Sequence, residues 1–386
     1  MSKVVVKICE EYDLETIKSK LTESFDLLGG LNNLIKPNQS VFLKVNCLGA
    51  FDVSKAITTN PIFLKAVIQL IKPITSNIIV GDNPATKEMV HCFKKNGMYK
   101  TVQEEQIPFF NPKNFAHIEN SNYKYYSAFE VSKEMIEADV LINLPKLKTH
   151  ALAYMTVAEK NFFGLIYGLS KGAWHVKASD PLQFGEMMND LYGALLEARG
   201  GKTIINVCDG IIGLEGEGPS TAGSPINSKL ILTSLDAISL DTVAVDAVGL
   251  DYDKLFITKI AGKRGYGESN IKNITILGDD YKKLNLKFIP PKDSMSIKAL
   301  RLIKFKPIRN LLLEHPVIDN SLCIKCGECA KICPPKAMKI KPKEFPKLKK
   351  KQCIRCWCCA EVCPQNAISK SKRPLPGKIL LKNRDK

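Results

Sequence analysis

Two short runs of cysteine constrain this chain more than any other feature of its 386 residues. The segment Cys323-Ile-Lys-Cys326-Gly-Glu-Cys329-Ala-Lys-Ile-Cys333-Pro334 spells C-x2-C-x2-C-x3-C-P. Thirty residues later Cys353-Ile-Arg-Cys356-Trp-Cys-Cys359-Ala-Glu-Val-Cys363-Pro364 spells it again. The same offset aligns Ile324 with Ile354, Ala330 with Ala360 and Ala337 with Ala367, so the segment is an internal duplication. Nine of the 13 cysteines fall here; Cys9, Cys47, Cys92 and Cys208 are scattered in apolar surroundings and suit small core residues in a reducing compartment.

Four thiolates at this spacing are the ligand set of a [4Fe–4S] cluster, and in two-cluster ferredoxins the fourth cysteine of each run serves the other cluster. That rule assigns Cys323, Cys326, Cys329 and Cys363 to one cluster and Cys353, Cys356, Cys359 and Cys333 to a second. Structural zinc also uses C-x2-C pairs. Zinc does not account for two identical quartets, each followed by proline. Cys358 is left over: it sits one residue before the ligand in register with Cys329 and reads as a non-ligand beside the cluster. Trp357 reads as a packed aromatic.

The charge is equally uneven. The formal net charge is +17, and from Lys292 to Lys386 there are 24 Lys and Arg against 7 Asp and Glu; over the first 291 positions the two signs cancel. Much of the excess is the run from Lys339 to Lys351. Part of it must balance anionic clusters, and the surplus would steer an acidic redox partner such as ferredoxin or flavodoxin. Nucleic acid is the alternative for so basic a region, but no helix-turn-helix, zinc-finger or RNP-type pattern supports it. The stretch from Ile297 to Leu313 reads as a linker helix or, in the sharper version, a basic amphipathic helix in peripheral contact with anionic membrane. With no long apolar run and no signal-peptide pattern, a cytoplasmic protein is expected.

The first 290 residues alternate apolar strand candidates with helical patterns. The strands are 4–9, 41–45, 77–80, 139–144, 203–208, 229–233 and 273–277, and the helices include 14–28, 62–71, 87–95, 182–199 and 240–248. This alternation implies an α/β fold, a mostly parallel sheet flanked by helices. The expected organisation is an α/β domain at 1–290, a basic linker at 291–320, a small α+β dicluster module at 321–370 and a basic tail at 371–386. Unusual polar residues gather at or just past the strand ends. Lys44 and Asn46 close VFLKVN, Asp82 and Asn83 follow IIVG, Lys146, Lys148 and His150 follow DVLINL, and Asp209 follows TIINVC. In open α/β sheets the carboxyl edge is where ligands bind. Lys146, His150 and Asp209 are therefore the catalytic candidates. Lys44, Asn46, Asp82, Lys148, Lys160, His175 and Glu215 are candidates for holding a small anionic substrate. The glycine-rich stretch from Asp209 to Gly223 lacks Gly-Lys-Ser/Thr and reads as a loop walling the pocket.

The ordered run VFLKVN, LINLPKLKTH, EKNFFG, DGIIGLEGEGP and SLDTVAVDAVG resembles the DUF362 family, with which a C-terminal ferredoxin domain often travels. The family implies iron–sulfur binding but no assigned reaction, and the ferredoxin resemblance implies low-potential electron transfer. Three functions remain open at this point. One is an iron–sulfur oxidoreductase passing electrons to a substrate or cofactor on the α/β domain; no flavin or nicotinamide fingerprint identifies a further organic cofactor. Another is an accessory donor or maturation factor docking on a second metalloenzyme. The third is a non-redox enzyme with structural or sensory clusters. Anaerobically purified protein is expected to hold about eight iron and eight sulfide per chain. Cys358→Ser should keep both clusters and Cys359→Ser should lose or convert one, as iron analysis and EPR will show.

Overall fold

The computed structural model describes residues 2–85, 88–110, 114–168, 170–178, 180–291 and 306–381. All seven strand candidates form one sheet. They are β1 (Lys3–Ile8), β2 (Val41–Val45), β3 (Ile78–Gly81), β6 (Val140–Leu144), β9 (Ile204–Gly216), β10 (Gly223–Ser234) and β11 (Thr275–Gly278). Between β3 and β6 the hairpin of β4 (Phe115–Glu119) and β5 (Ala128–Ser132) stands apart as its own small sheet. The main order is β11-β1-β10-β9-β6-β2-β3. From β9 to β3 every neighbouring pair is parallel, as is β1 with β11, whereas β10 runs antiparallel to β1 and β9. Every residue of β2 and β6 is buried, as expected of strands covered on both faces by helices.

The covering helices start where the sequence supplies caps. Asp13, Asn60 and Asp180 accept from backbone N–H groups at the first turns of Leu14–Leu27, Pro61–Ile71 and Pro181–Arg199, and proline opens the last two. Gly200 closes the longest of them in the left-handed conformation.

The residues past the end of β6 form a further strand, β7 (Lys146–His150), which leaves β6 after Pro145 and pairs parallel with the far half of β9 and antiparallel with β8 (Tyr154–Thr156). One expectation is corrected. The glycine-rich stretch is likewise mostly strand, because β9 runs on to Gly216 and β10 resumes at Gly223. Its backbone groups find ladder partners in β7 and β10, which outweighs the weak strand preference of glycine. Only the turn between them remains a loop.

In the C-terminal module β12 (Pro316–Ile318) pairs with β15 (Ile368–Lys370), and β13 (Met338–Lys339) with β14 (Lys347–Leu348). The duplication persists in the backbone: Lys325 and Arg355, Gly327 and Trp357, Lys336 and Asn366 all have positive φ. Short helices follow at equivalent places, Glu328–Lys331 and Cys358–Glu361. Of the linker, residues 292–305 lie outside the described residues and Lys306–Leu312 is helical. The end of the basic tail, 382–386, also lies outside them.

Arg199 ties the helical layer to the sheet. Its guanidinium donates to the carbonyls of Met135, Ile136, Asp139 and Thr203, and burial pulls its pKa down to about 10. Arg199→Met would leave those buried carbonyls without a donor. A loss on the order of 3 kcal/mol in urea unfolding is expected.

Candidate functional site

The eight predicted cluster ligands sort into two cavities. Cys323, Cys326, Cys329 and Cys363 line one of about 350 Å³, and Cys333, Cys353, Cys356 and Cys359 line another of about 300 Å³. The fourth cysteine of each run has crossed to the other half's cavity, as the spacing rule requires. The donor set fits iron–sulfur clusters. The only Cys, His, Asp or Glu side chains lining the second cavity are its four cysteines, and in the first only Glu328 joins the four. Met338 N–H and Ala367 N–H donate to the Cys333 and Cys363 sulfurs, the kind of contact that orients and tunes thiolate ligands. Burial and then the neighbouring Cys326, Cys363 and Cys323 push the Cys329 thiol up to about 12. Positive charge from a bound metal would favour the thiolate form of such a group.

A third cavity, about 680 Å³, opens where the carboxyl edge of the sheet meets this module. The sheet side contributes Asn46, Asp82, Lys148 and His150; the segments after β8 contribute Lys160, Asn161, Lys171 and His175; the module contributes Ile332, Cys358, Glu361 and Val362. A chain of amides fixes the sheet side. Asn46 Nδ2 donates to Asn161 Oδ1 (2.8 Å), Asn161 Nδ2 to Asn143 Oδ1 (2.7 Å) and Asn143 Nδ2 to Asn206 Oδ1 (2.9 Å). Beside it Lys44 and Asp82 form a buried ion pair at 2.9 Å, and Asp82 also accepts from Cys47 N–H. Gly164 of EKNFFG packs directly on that pair. A Cβ there would lie 2.3 Å from Asp82 Oδ1 and 2.5 Å from Lys44 Nζ, so only glycine fits.

The cavity is cationic. Lys148 donates to Asn46 Oδ1 and Ile57 O, and Lys171 to Asn83 O. Lys160 Nζ lies over the rings of Phe163 (4.5 Å) and Phe184 (5.2 Å) and has no carboxylate within ion-pair distance among the described residues. Burial, with Lys160 as a repelling neighbour, lowers Lys148 to about 7; burial also brings Lys160 and Lys171 down to about 8. His175 falls to about 3 and His150 well below its usual value, both chiefly by burial, so both rings are neutral. His150 Nδ1 accepts from Leu152 and Ala153 N–H at 3.1 Å, which puts its proton on Nε2, 3.8 Å from Glu361 Oε1. Burial raises the Glu361 carboxyl while Lys160 and Lys148 oppose the rise.

Comparison with known proteins agrees with this division. A model of the DUF362 domain of unknown function matches residues 41–246, which includes the whole sheet side of the cavity. The chain belongs to the DUF362 family. A 4Fe–4S dicluster domain matches residues 310–368, so this DUF362 protein is also an iron–sulfur protein. A thylakoid-associated protein of Synechocystis sp. is 32% identical over 228 residues, covering 59% of this chain and 68% of the relative. Among solved structures, a Thermotoga maritima protein aligns with a TM-score of 0.41 at 11% identity, over 67% of this chain and 60% of its own. The lactate racemase apoprotein of Thermoanaerobacterium thermosaccharolyticum aligns at 0.38 and 13%, over 64% and 57%. This chain thus spans less than two thirds of either structure, and such scores carry no argument about activity. Among the described residues no helix is long and apolar enough to cross a membrane.

Of the residues singled out in the DUF362 domain, Asn46, Asp82, Lys148, His150, Lys160 and His175 meet in the cavity, and Lys44 stands behind Asp82. Lys146 and Asp209 meet each other but do not line it. Their side chains are 1% and 0% exposed and 2.9 Å apart. The Asp209 carboxylate further accepts from Tyr12 OH and Asn60 N–H, and Lys146 donates to Tyr12 OH. Glu215 accepts from Ile289 N–H away from the cavity. The sequence reading did not single out Lys171, Glu361, Asn143 and Asn206. The last two had a signal, a single amide inside each of the apolar strands LINL and TIINV.

Because Lys146 and Asp209 are sealed together, Asp209→Ala is expected to strand a buried ammonium and cost about 3–5 kcal/mol in denaturant unfolding. The double replacement Lys146→Met with Asp209→Ala should recover most of that loss. A double variant as unstable as the single would show the pair is not the source.

Proposed function

We propose that this chain is an iron–sulfur oxidoreductase of the cytoplasm that exchanges electrons with a small anion held between its DUF362 domain and its dicluster module. One observation carries the reading: Cys358 and Glu361 of the module wall the same cavity as Lys148, Lys160 and Lys171 of the α/β domain. Cys358 directly precedes Cys359 and lies two residues past Cys356, so the cavity wall is within two residues of two proposed cluster ligands, roughly 4–7 Å along the chain. Clusters bound by the two quartets would supply one-electron transfer.

The chain's own residues do the rest. Lys160, which lies over the Phe163 ring, and Lys171 and Lys148 beside it supply ammonium groups that an incoming carboxylate or phosphate would pair. His150 offers its Nε2 proton on the module side, where Glu361 lies, and Phe163, Ile332 and Val362 add apolar wall. Low local dielectric then strengthens each polar contact to the ligand. The acidic carriers and reducing conditions that suit nine clustered thiols belong to the cytoplasm.

The test is EPR of the reduced, cluster-loaded protein with and without inorganic phosphate and small carboxylates. At least one anion should alter the cluster signal, and Lys160→Met should abolish the change with iron content intact. Signals indifferent to all such anions would favour an accessory donor. A pH prediction follows from the lysines. Sulfate keeps its charge across neutral pH, whereas Lys148 loses its proton near 7 and Lys160 and Lys171 near 8. Sulfate affinity should therefore be full below pH about 6.5 and fall roughly tenfold or more by pH 9, measured calorimetrically at constant ionic strength.

A further inference from the structure

The two halves of the module have the same motif and backbone but not the same surroundings. Ile324 is 59% exposed and its counterpart Ile354 is half-buried. Cys326 is exposed and Cys356 is partly buried, packed with Ala85 of the DUF362 domain against Ile332, Cys358 and Val362. Lys325 is exposed and lies over the Phe345 ring at 4.3 Å; its counterpart Arg355 is pinned by Glu314 O, Cys353 O and Asn310 Oδ1. The halves also differ in residue type where the second meets the cavity: Glu328 and Lys331 form an i,i+3 ion pair, and the same two places thirty residues on are Cys358 and Glu361 in the cavity wall.

From this asymmetry we propose that the surface around Cys326, formed by Leu322, Ile324 and Lys325, is the docking face for an acidic one-electron carrier protein, and that the second half is given over to the cavity. The inference rests on the electron-exchange reading above, but its evidence is separate. Leu322 and Ile324 are large apolar side chains, 48% and 59% exposed, beside Cys326, the most solvent-open of the eight proposed cluster ligands. A carrier needs an approach to a cluster where little protein intervenes, and Cys326 is that place. The rim is basic: Lys325, Lys339, Lys341, Lys343 and Lys347 are all exposed in a segment with a large excess of positive charge. An apolar centre with a charged rim is the anatomy of a protein interface, and the sign of this rim selects an acidic partner. The alternative occupant, an anionic membrane, would use the same charges but would have no reason to centre on a ligand cysteine.

Flavodoxin, a small acidic carrier, is the probe, with the full cluster-loaded chain as its partner. Ile324→Asp should weaken binding roughly tenfold or more, mainly through faster dissociation, as expected when a buried anchor is lost. Replacing Lys339, Lys341 and Lys343 together with serine should instead slow association and flatten its salt dependence, because rim charges act at long range. Iron content and the EPR spectrum check that each variant keeps its clusters. A readout independent of variants is carbodiimide cross-linking of flavodoxin carboxylates, which should map to Lys325 by mass spectrometry. Cross-links confined to Lys349–Lys351, unchanged affinity of Ile324→Asp, or binding to phosphatidylglycerol vesicles in place of flavodoxin would each overturn the proposal. Anion-insensitive EPR signals together with flavodoxin cross-linked at Lys325 would remove the cavity reading and leave the docking face standing.

Discussion

The chain of amides from Asn46 through Asn161 and Asn143 to Asn206 holds the carboxyl edge together, and the cavity depends on it. Each asparagine in a buried strand carries a polar group that is expensive to leave unpaired. Linking them satisfies the groups and also locks three parallel strands to the short helix that carries Lys160. The Lys44–Asp82 pair does the same for β2 and β3. That rigid polar linkage fixes the edge from which Lys148 faces the cavity, with Lys160 and Lys171 beside it.

The module meets this edge with its second half and with Ile332 at the end of the first, which explains how one duplicated sequence acquires two environments. Repetition of the motif preserves the ligand geometry, down to the positive φ angles at Lys325 and Arg355 and at Gly327 and Trp357. Contact with the α/β domain then breaks the equivalence. Ile332, Cys358 and Val362 are buried against Ala85, and Thr221 Oγ1 donates to Cys363 O, while the loop around Cys326 stays in solvent. Lysine pKa values near neutrality follow from the same packing, since burial and mutual repulsion both disfavour the ammonium.

Much of this was legible in the residues alone. The cysteine spacing determined which thiols would share a cavity, because the motif is local and its reach is set by a few backbone angles. Apolar strands separated by amphipathic helices determined the sheet, and parallel strands necessarily release their carboxyl-end residues on one side. That is why Asn46, Asp82, Lys148 and His150 could be placed together. Tertiary structure alone decided the rest. Whether a polar residue past a strand faces a cavity or a partner depends on contacts far away in sequence. Asp209 is sealed by Tyr12 and Lys146, Glu215 turns to Ile289, and Lys171 arrives from a helix with no pattern of its own. Spacing carries no information about which face of a duplicated module is covered, because that is set by packing between two separately coded surfaces.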